Sequence, residues 1–179
     1  AQLKQIDDDF AFVAACNEGG EQMAPEHLER LKAIAARSWL RTLDDRLGLS
    51  EEERRRLGPG QPLPAIETLL ADKPEHRQAR GPDDRIAPDN RWGFRLNVPA
   101  LRHNHGELTN LSVGRGTLTD EDRYTINEHI VQTLVMLSRL PFPKHLRNVP
   151  EIAGGHHEKI DGSGYPRRLR GEQMSPLAR

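Results

Sequence analysis

The sequence predicts an all-α fold interrupted by one long irregular insertion. Three observations carry that expectation. Apolar residues recur at every third or fourth position over residues 1–18, 24–39 and 117–140, the spacing that places them on one face of a helix. Helix-starting and helix-stopping residues bracket these runs. Residues 58–107 are polar for much of their length and broken by Pro74, Pro82, Pro88 and Pro99, which reads as an irregular loop or arm. The expected divisions are an N-terminal helical segment 1–57, the arm 58–107 and a third region 108–179.

In the first run Leu3, Ile6, Phe10, Val13 and Ala14 share a stripe, and Gly19-Gly20 ends the helix. Ala24-Pro25-Glu26 opens the second, with Leu28, Leu31, Ile34, Ala35 and Trp39 along one face; proline and an acid both suit a first turn. Both stripes are expected to form core or helix–helix contacts. Ser50-Glu51-Glu52-Glu53 is a capping-box pattern opening a short charged helix through Arg56. The run from Gly58-Pro59-Gly60 to Pro64 breaks the chain, a short helix is expected from Ala65 to Ala71, and Trp92 and Phe94 are expected to anchor the arm to the body. Thr119, with Asp122 three residues on, caps a strong helix that ends near Leu140 and turns Ile126, Ile130, Leu134 and Leu137 to its apolar face. Pro141-Phe142-Pro143 stops it, a second helix is expected from Leu146 to Glu158, and a glycine-rich loop 161–164 follows.

Composition limits the function. The chain has 179 residues, 35% of them hydrophobic, and a mean hydropathy of -0.74, which is lean for a compact domain and predicts that part of it lies outside a core or borrows one from a partner. With 26 basic and 27 acidic residues the net charge is -1, so a long nucleic acid or a membrane surface is not an expected partner. Cys16 is the only cysteine; no intrachain disulfide can form, which fits a reducing, cytoplasmic setting. No membrane-spanning run is expected within this chain. The opening Ala1-Gln2-Leu3 lacks a methionine, and Ser175-Pro176 reads as the start of a helix cut short at Arg179, so both ends are expected to belong to a longer polypeptide.

The chemistry concentrates in Gly154-Gly155-His156-His157-Glu158-Lys159-Ile160-Asp161-Gly162-Ser163-Gly164-Tyr165-Pro166. Adjacent residues on a helix point about 100° apart, so His156 and His157 are expected to serve two neighbouring ions, or an ion and a phosphate, with His129 on a facing helix completing the site. Imidazole donors suit Fe, Mn, Zn or Ni, and added carboxylates favour harder ions. A metal pair would activate water and neutralise a phosphodiester. Lys159 is a candidate catalytic residue through contact with a phosphate. Glu158 is open to three roles: ligand, partner orienting a histidine, or helix-end carboxylate. Asp161-Gly162 is a turn pair, Gly164 suits an unusual backbone angle, and Tyr165 can pack or stack on a base. Arg167, Arg168 and Arg170 form a basic cluster suited to a compact phosphate ligand. His103 and His105, in a polar loop-like segment, are expected at the surface, and His27, His76 and His145 have no companion ligands.

His156 to Pro166 closely resembles the HHExxDGxGYP signature of HD-GYP domains, and the helix from Leu118 to His129 resembles that family's "LT-x-E…H" segment. The resemblance covers residues 108–179. It implies a partial HD-superfamily helical bundle and a metal-dependent phosphodiesterase that hydrolyses cyclic di-GMP to pGpG or GMP with two or three divalent ions, Fe or Mn favoured and Ni, Zn or Mg possible. On it His129, His156 and His157 match metal ligands. Gly164, Tyr165 and Pro166 match a loop on the substrate side that also contacts GGDEF-domain proteins, and Arg167 is placed with them. The chain departs from the family pattern in having no His-Asp pair. His103-Asn104 lies near its place, and the pair is expected upstream of Ala1. A further aspartate is expected shortly after the Gly-Tyr-Pro segment, and the chain ends first. The isolated chain is therefore expected to bind metal weakly, to have little or no phosphodiesterase activity, and to form a homodimer through the apolar surface left open. The alternatives are a non-catalytic HD-GYP-like signalling or interaction module, and an HD-type phosphohydrolase of another nucleotide.

Overall fold

A computed structural model describes residues 2–57 and 59–178. Ala1, Gly58 and Arg179, to which the expectations about chain start, chain break and terminal helix extend, lie outside the described residues. The chain divides into two compact units, one of residues 1–79 and 103–119, the other of residues 80–102 and 120–179. The segment read as a single arm, 58–107, is thus shared between both.

The first unit opens with α1 (Gln2–Glu18) and α2 (Pro25–Ala35). Gly19 ends α1 with φ +73°, a conformation that favours glycine, and an added Cβ would lie 2.6 Å from Thr117 Cγ2. The stripe on α1 does not form core. Leu3, Ile6 and Phe10 are exposed, and the buried residue of α1 is Asp9. On α2 the expectation holds for Leu31, Ile34 and Ala35, all buried. Trp39 instead lies on β1 (Ser38–Arg41). After α3 (Glu51–Leu57), β2 (Ala65–Thr68) pairs antiparallel with β1, Arg41 opposite Ala65 and Trp39 opposite Glu67. The helix expected from Ala65 is therefore a strand. A cross-strand bond, Arg41 Nε to Glu67 Oε1 at 2.7 Å, together with Lys73 Nζ to Glu67 at 3.0 Å, rewards the extended backbone more than helix propensity does. The capping box forms as read: Glu53 N donates to Ser50 Oγ at 3.2 Å and Ser50 N to Glu53 Oε2 at 2.8 Å. β3 (Arg77–Ala79) pairs with β4 (Leu101–Asn104), and α4 (Glu107–Leu111) follows. The described residues are mostly helical, but two two-stranded sheets stand among them, so the all-α expectation holds only in part.

The second unit is organised by α5 (Asp120–Leu137), which begins directly after buried Thr119 with three acids in its first turn. Phe94, Ile130, Val131 and Leu134 form its core, with Trp92 and Tyr165 packed against them. Phe94 and Trp92 thus anchor the arm as expected. Burying each large apolar side chain stabilises by roughly 1.5–3 kcal/mol. Ile126 departs from the expected apolar face and is 50% exposed. The following helix, α6 (Val149–Gly155), is shorter than expected, a separate 3₁₀ turn covers Lys144–Leu146, and Ser175–Ala178 closes one turn rather than a described helix.

Candidate metal centre

Gly154 brings α6 onto α5, and Gly155 admits the C-terminal segment beside it. A Cβ on Gly154 would lie 2.5 Å from Leu134 Cδ2, and one on Gly155 would lie 2.8 Å from the Ala178 Cβ. The end of α6 therefore approaches the face of α5 closely, and the chain leaves the helix at His156. Because His156 and His157 follow the last residue of α6, the divergence of neighbours on a continuous helix does not apply. Their rings lie 3.9 Å apart. One nitrogen each from His129, His156 and His157 falls within 4.8 Å of the other two. A single ion held by all three histidines thus joins the arrangements expected from helix spacing, two neighbouring ions or an ion and a phosphate.

The protonation pattern suits ligation. His129 Nδ1 lies 2.5 Å from the Ile126 carbonyl, and His156 Nδ1 lies 2.6 Å from the Ala153 carbonyl. A carbonyl only accepts, so each Nδ1 carries the proton and each Nε2 keeps its lone pair in the neutral ring. Burial, then the charges of His156 and His129, lowers the His157 pKa below 6.5, holding that ring neutral at physiological pH. His157 Nε2 lies 3.2 Å from His129 Nε2. Two nitrogens bound to one ion at about 2.0–2.1 Å in a tetrahedral arrangement stand about 3.3 Å apart. The donor set fits one divalent ion, and among the described residues no carboxylate joins it.

The loop after His157 is fixed by a residue whose role the sequence left open. Glu158 is 9% exposed. Its Oε1 accepts from Arg167 N at 2.7 Å and its Oε2 from Leu169 N at 2.8 Å, so it ties the loop's two arms together and turns away from ligation. The backbone of Gly164 crosses Glu158 closely: a Cβ there would lie 2.4 Å from both Glu158 Cα and Lys159 N. That close crossing, with φ outside the left-handed region, is why glycine stands there. The Tyr165 ring stacks on His157, centroids 4.5 Å apart and planes 15° apart, and its N–H donates to the His157 carbonyl at 3.1 Å.

A sequence profile for the HD domain matches residues 64–179, well over half of the chain. The chain belongs to the HD domain family. The match begins upstream of residue 108, where the motif resemblance began. Among curated proteins, the chain is 34% identical over 88 residues to "3'3'-cGAMP-specific phosphodiesterase 3" of Vibrio cholerae, covering 47% of this chain and 18% of that protein. It is 43% identical over 67 residues to "Cyclic di-GMP phosphodiesterase" of the same organism, covering 35% of this chain and 13% of that protein. The chain thus matches less than a fifth of either relative's length. No solved structure matches it, and no helix among the described residues is long and apolar enough to cross a membrane.

Within this HD domain the remaining candidates separate. Pro166 follows a cis peptide bond and is fully buried, its carbonyl accepting from Arg95 N at 2.7 Å; it shapes the loop rather than facing a ligand. Arg167, expected on the substrate side, directs its Nε to the Trp92 carbonyl at 2.9 Å. Lys159 is exposed and makes no hydrogen bond or ion pair to the histidines among the described residues. Its charge acts on Asp161, whose pKa is lowered first by the Ser163 hydrogen bonds. Arg168 is a non-glycine residue at φ +57°, a conformation that costs about 1–2 kcal/mol. His103 and His105 stack at 5.6 Å, and no third ligand joins them among the described residues. Gly154, shortly before His156, was the sequence signal for the close helix approach, and the Glu158 tie had none.

Proposed function

We propose that this chain is a metal-dependent phosphodiesterase domain of the HD-GYP type acting on a cyclic dinucleotide, cyclic di-GMP first, yielding pGpG or GMP. The observation that carries the reading is the clustering of the His129, His156 and His157 nitrogens within 4.8 Å of one another, with the Tyr165 ring stacked on His157. The names of the two relatives support the substrate class, since both are cyclic-dinucleotide phosphodiesterases.

A bound ion would supply Lewis-acid polarisation of the scissile phosphate and a more acidic water. His129 and His156 hold their Nε2 atoms toward it through the carbonyls of Ile126 and Ala153, and Tyr165 fixes the plane of His157. An all-imidazole set favours Fe, Ni or Zn over Mg. It is also a one-ion set, and no His-Asp pair occurs in the sequence, so the isolated chain is slow or inactive unless a carboxylate is supplied from elsewhere. The exposed Leu3, Ile6 and Phe10 of α1 support self-association. Metal analysis by mass spectrometry, with chromatographic assay of cyclic di-GMP and 3'3'-cGAMP hydrolysis, tests the reading. About one ion per chain, lost in His157→Ala, is expected. A full complement of metal bound after all three histidines are replaced would sink it. Stoichiometric metal without binding of either dinucleotide would favour the non-catalytic module.

A further inference from the structure

A cleft of about 390 Å³ opens beside the histidine centre, lined by Arg95, Arg123, Arg168, Asp120, Tyr124 and Tyr165 among others. Three guanidinium groups face one carboxylate there, in a chain that is otherwise close to neutral. Two observations mark the cleft as a binding site. Tyr124 is 3% exposed, yet its hydroxyl has no hydrogen-bond partner; the guanidinium of Arg80 lies 4.4 Å over its ring. A buried hydroxyl without a partner is costly; this one is closed to solvent, with the charges of Glu128, Arg80 and Asp84 acting on it, and its residue lines the cleft, so an entering anion oxygen would give it the acceptor it lacks. Arg168 holds a left-handed backbone that glycine would adopt freely. Its Nη2 donates to Asn97 Oδ1 at 2.8 Å, which fixes the guanidinium on the cleft wall. Strain kept at such a position points to use of the side chain.

The cleft also has an address. Tyr165 lines it and stacks on His157, so one ring is shared by the cleft and the histidine centre. Arg95 is seated by its own N–H on the carbonyl of Pro166. A ligand with one phosphate at the histidines and a base against Tyr165 reaches this cleft with whatever it carries beyond that base. We propose that Arg95, Arg123 and Arg168, with the Tyr124 hydroxyl, form a second anion subsite that holds the non-reacting phosphate of the dinucleotide. This deepens the phosphodiesterase reading and rests on it.

Titration calorimetry of the Ni²⁺-loaded chain with cyclic di-GMP tests the subsite in Arg168→Gly and Arg95→Gln. Each variant is expected to weaken binding about tenfold or more, the loss typical of a charge-assisted phosphate contact, with metal stoichiometry unchanged. Arg168→Gly should also raise Tm by relieving its backbone, which separates lost binding from lost folding. Unchanged affinity in both variants overturns the proposal. If the native chain binds no cyclic di-GMP, the phosphodiesterase reading fails, and titration with inorganic pyrophosphate decides the subsite. Pyrophosphate binding that disappears in both variants upholds an anion site, and its absence from the native chain overturns that too.

Discussion

The unit built from α1, α2 and the β1–β2 pair matches its buried charges with ion pairs, whereas the unit that carries the histidines bonds its buried charges, Arg80 and Glu158, to backbone and sets the centre against an apolar cluster. In the first, buried Asp9 meets Arg30 at 3.0 Å and Arg37 at 2.7 Å, and buried Arg41 meets Glu67 at 2.7 Å. In the second, Phe94, Ile130, Val131 and Leu134 pack with no titratable group among them. Buried ion pairs add little net stability, because desolvation offsets most of the attraction. Close-packed apolar contacts are stiff and fix positions closely. A centre that must bring three nitrogens within 4.8 Å sits beside that apolar support, and Gly154, which permits the helix approach, touches the core at Leu134.

The largest effect expected from breaking this contrast is Leu134→Ala. The side chain is 1% exposed, and its loss leaves a cavity costing about 2–5 kcal/mol. Metal affinity should fall with it, since Leu134 also receives Gly154. The partner change sharpens the point: Gly154→Ala alone drives a Cβ to 2.5 Å from Leu134 Cδ2, but in the Leu134→Ala background the added methyl fills vacated space. Denaturant unfolding followed by Trp92 fluorescence in a Trp39→Phe background should show strong non-additivity; additive costs would mean that the helix approach is set elsewhere. Next comes Gly164→Ala. Its Cβ would meet backbone atoms at 2.4 Å, which cannot swing aside, so a cost of about 1–3 kcal/mol is expected. Metal affinity should fall at least tenfold as Tyr165 shifts off His157.

Much of the second unit was legible because its signals are local. Thr119 and the acids after it announce α5, the prolines 141 and 143 end it, and the spacing of Ile130 and Leu134 marks its inner face. The histidines were legible as chemistry, with His129 expected to complete their site from a facing helix, but how the adjacent pair shares that site was not, because it depends on where α6 ends. The first unit misled more. The spacing of Leu3, Ile6 and Phe10 is a genuine helical stripe, but one exposed to solvent, and periodicity cannot say which face is covered. Ala65-Ile66-Glu67-Thr68 became a strand through its pairing with β1, where Arg41 reaches Glu67 from 26 residues away, a partner too distant in sequence for a window to see.

An intermediate effect is expected at the polar tie of the second unit. Glu158→Gln keeps the shape of the side chain but replaces one acceptor oxygen with an amide donor facing a backbone N–H. Either the Arg167 or the Leu169 N–H loses its bond, at about 1–3 kcal/mol. The loop should loosen locally, seen as faster hydrogen exchange at both amides, while α5 keeps its protection. Loss of metal without loss of those amide protections would instead make Glu158 a ligand.

The smallest effect separates the two supports by pH. Hydrogen bonding from Arg30 lowers the Asp9 pKa below 3.8, with Gln5 and Arg37 adding to it against the opposing effect of burial. Arg46 holds Asp44 down to about 2. A carboxylate whose pKa is depressed by folding contributes stability that is complete above its unfolded value and fades as pH falls through the folded one. Acidification from pH 5 toward pH 2 should therefore release the first unit's ion pairs progressively, starting near pH 4, while the apolar contacts around Ile130 and Leu134 have nothing to titrate. Hydrogen-exchange protection at α1 and β1 amides, taken relative to the intrinsic rate at each pH, should fall across that window, ahead of the α5 amides at Val131 and Leu134. Asp9→Asn should flatten the α1 response, with only a modest loss at pH 7 because Arg30 and Arg37 are 43% and 45% exposed and can turn to water. Equal loss of protection in α1 and α5 would mean that the two supports do not differ in kind.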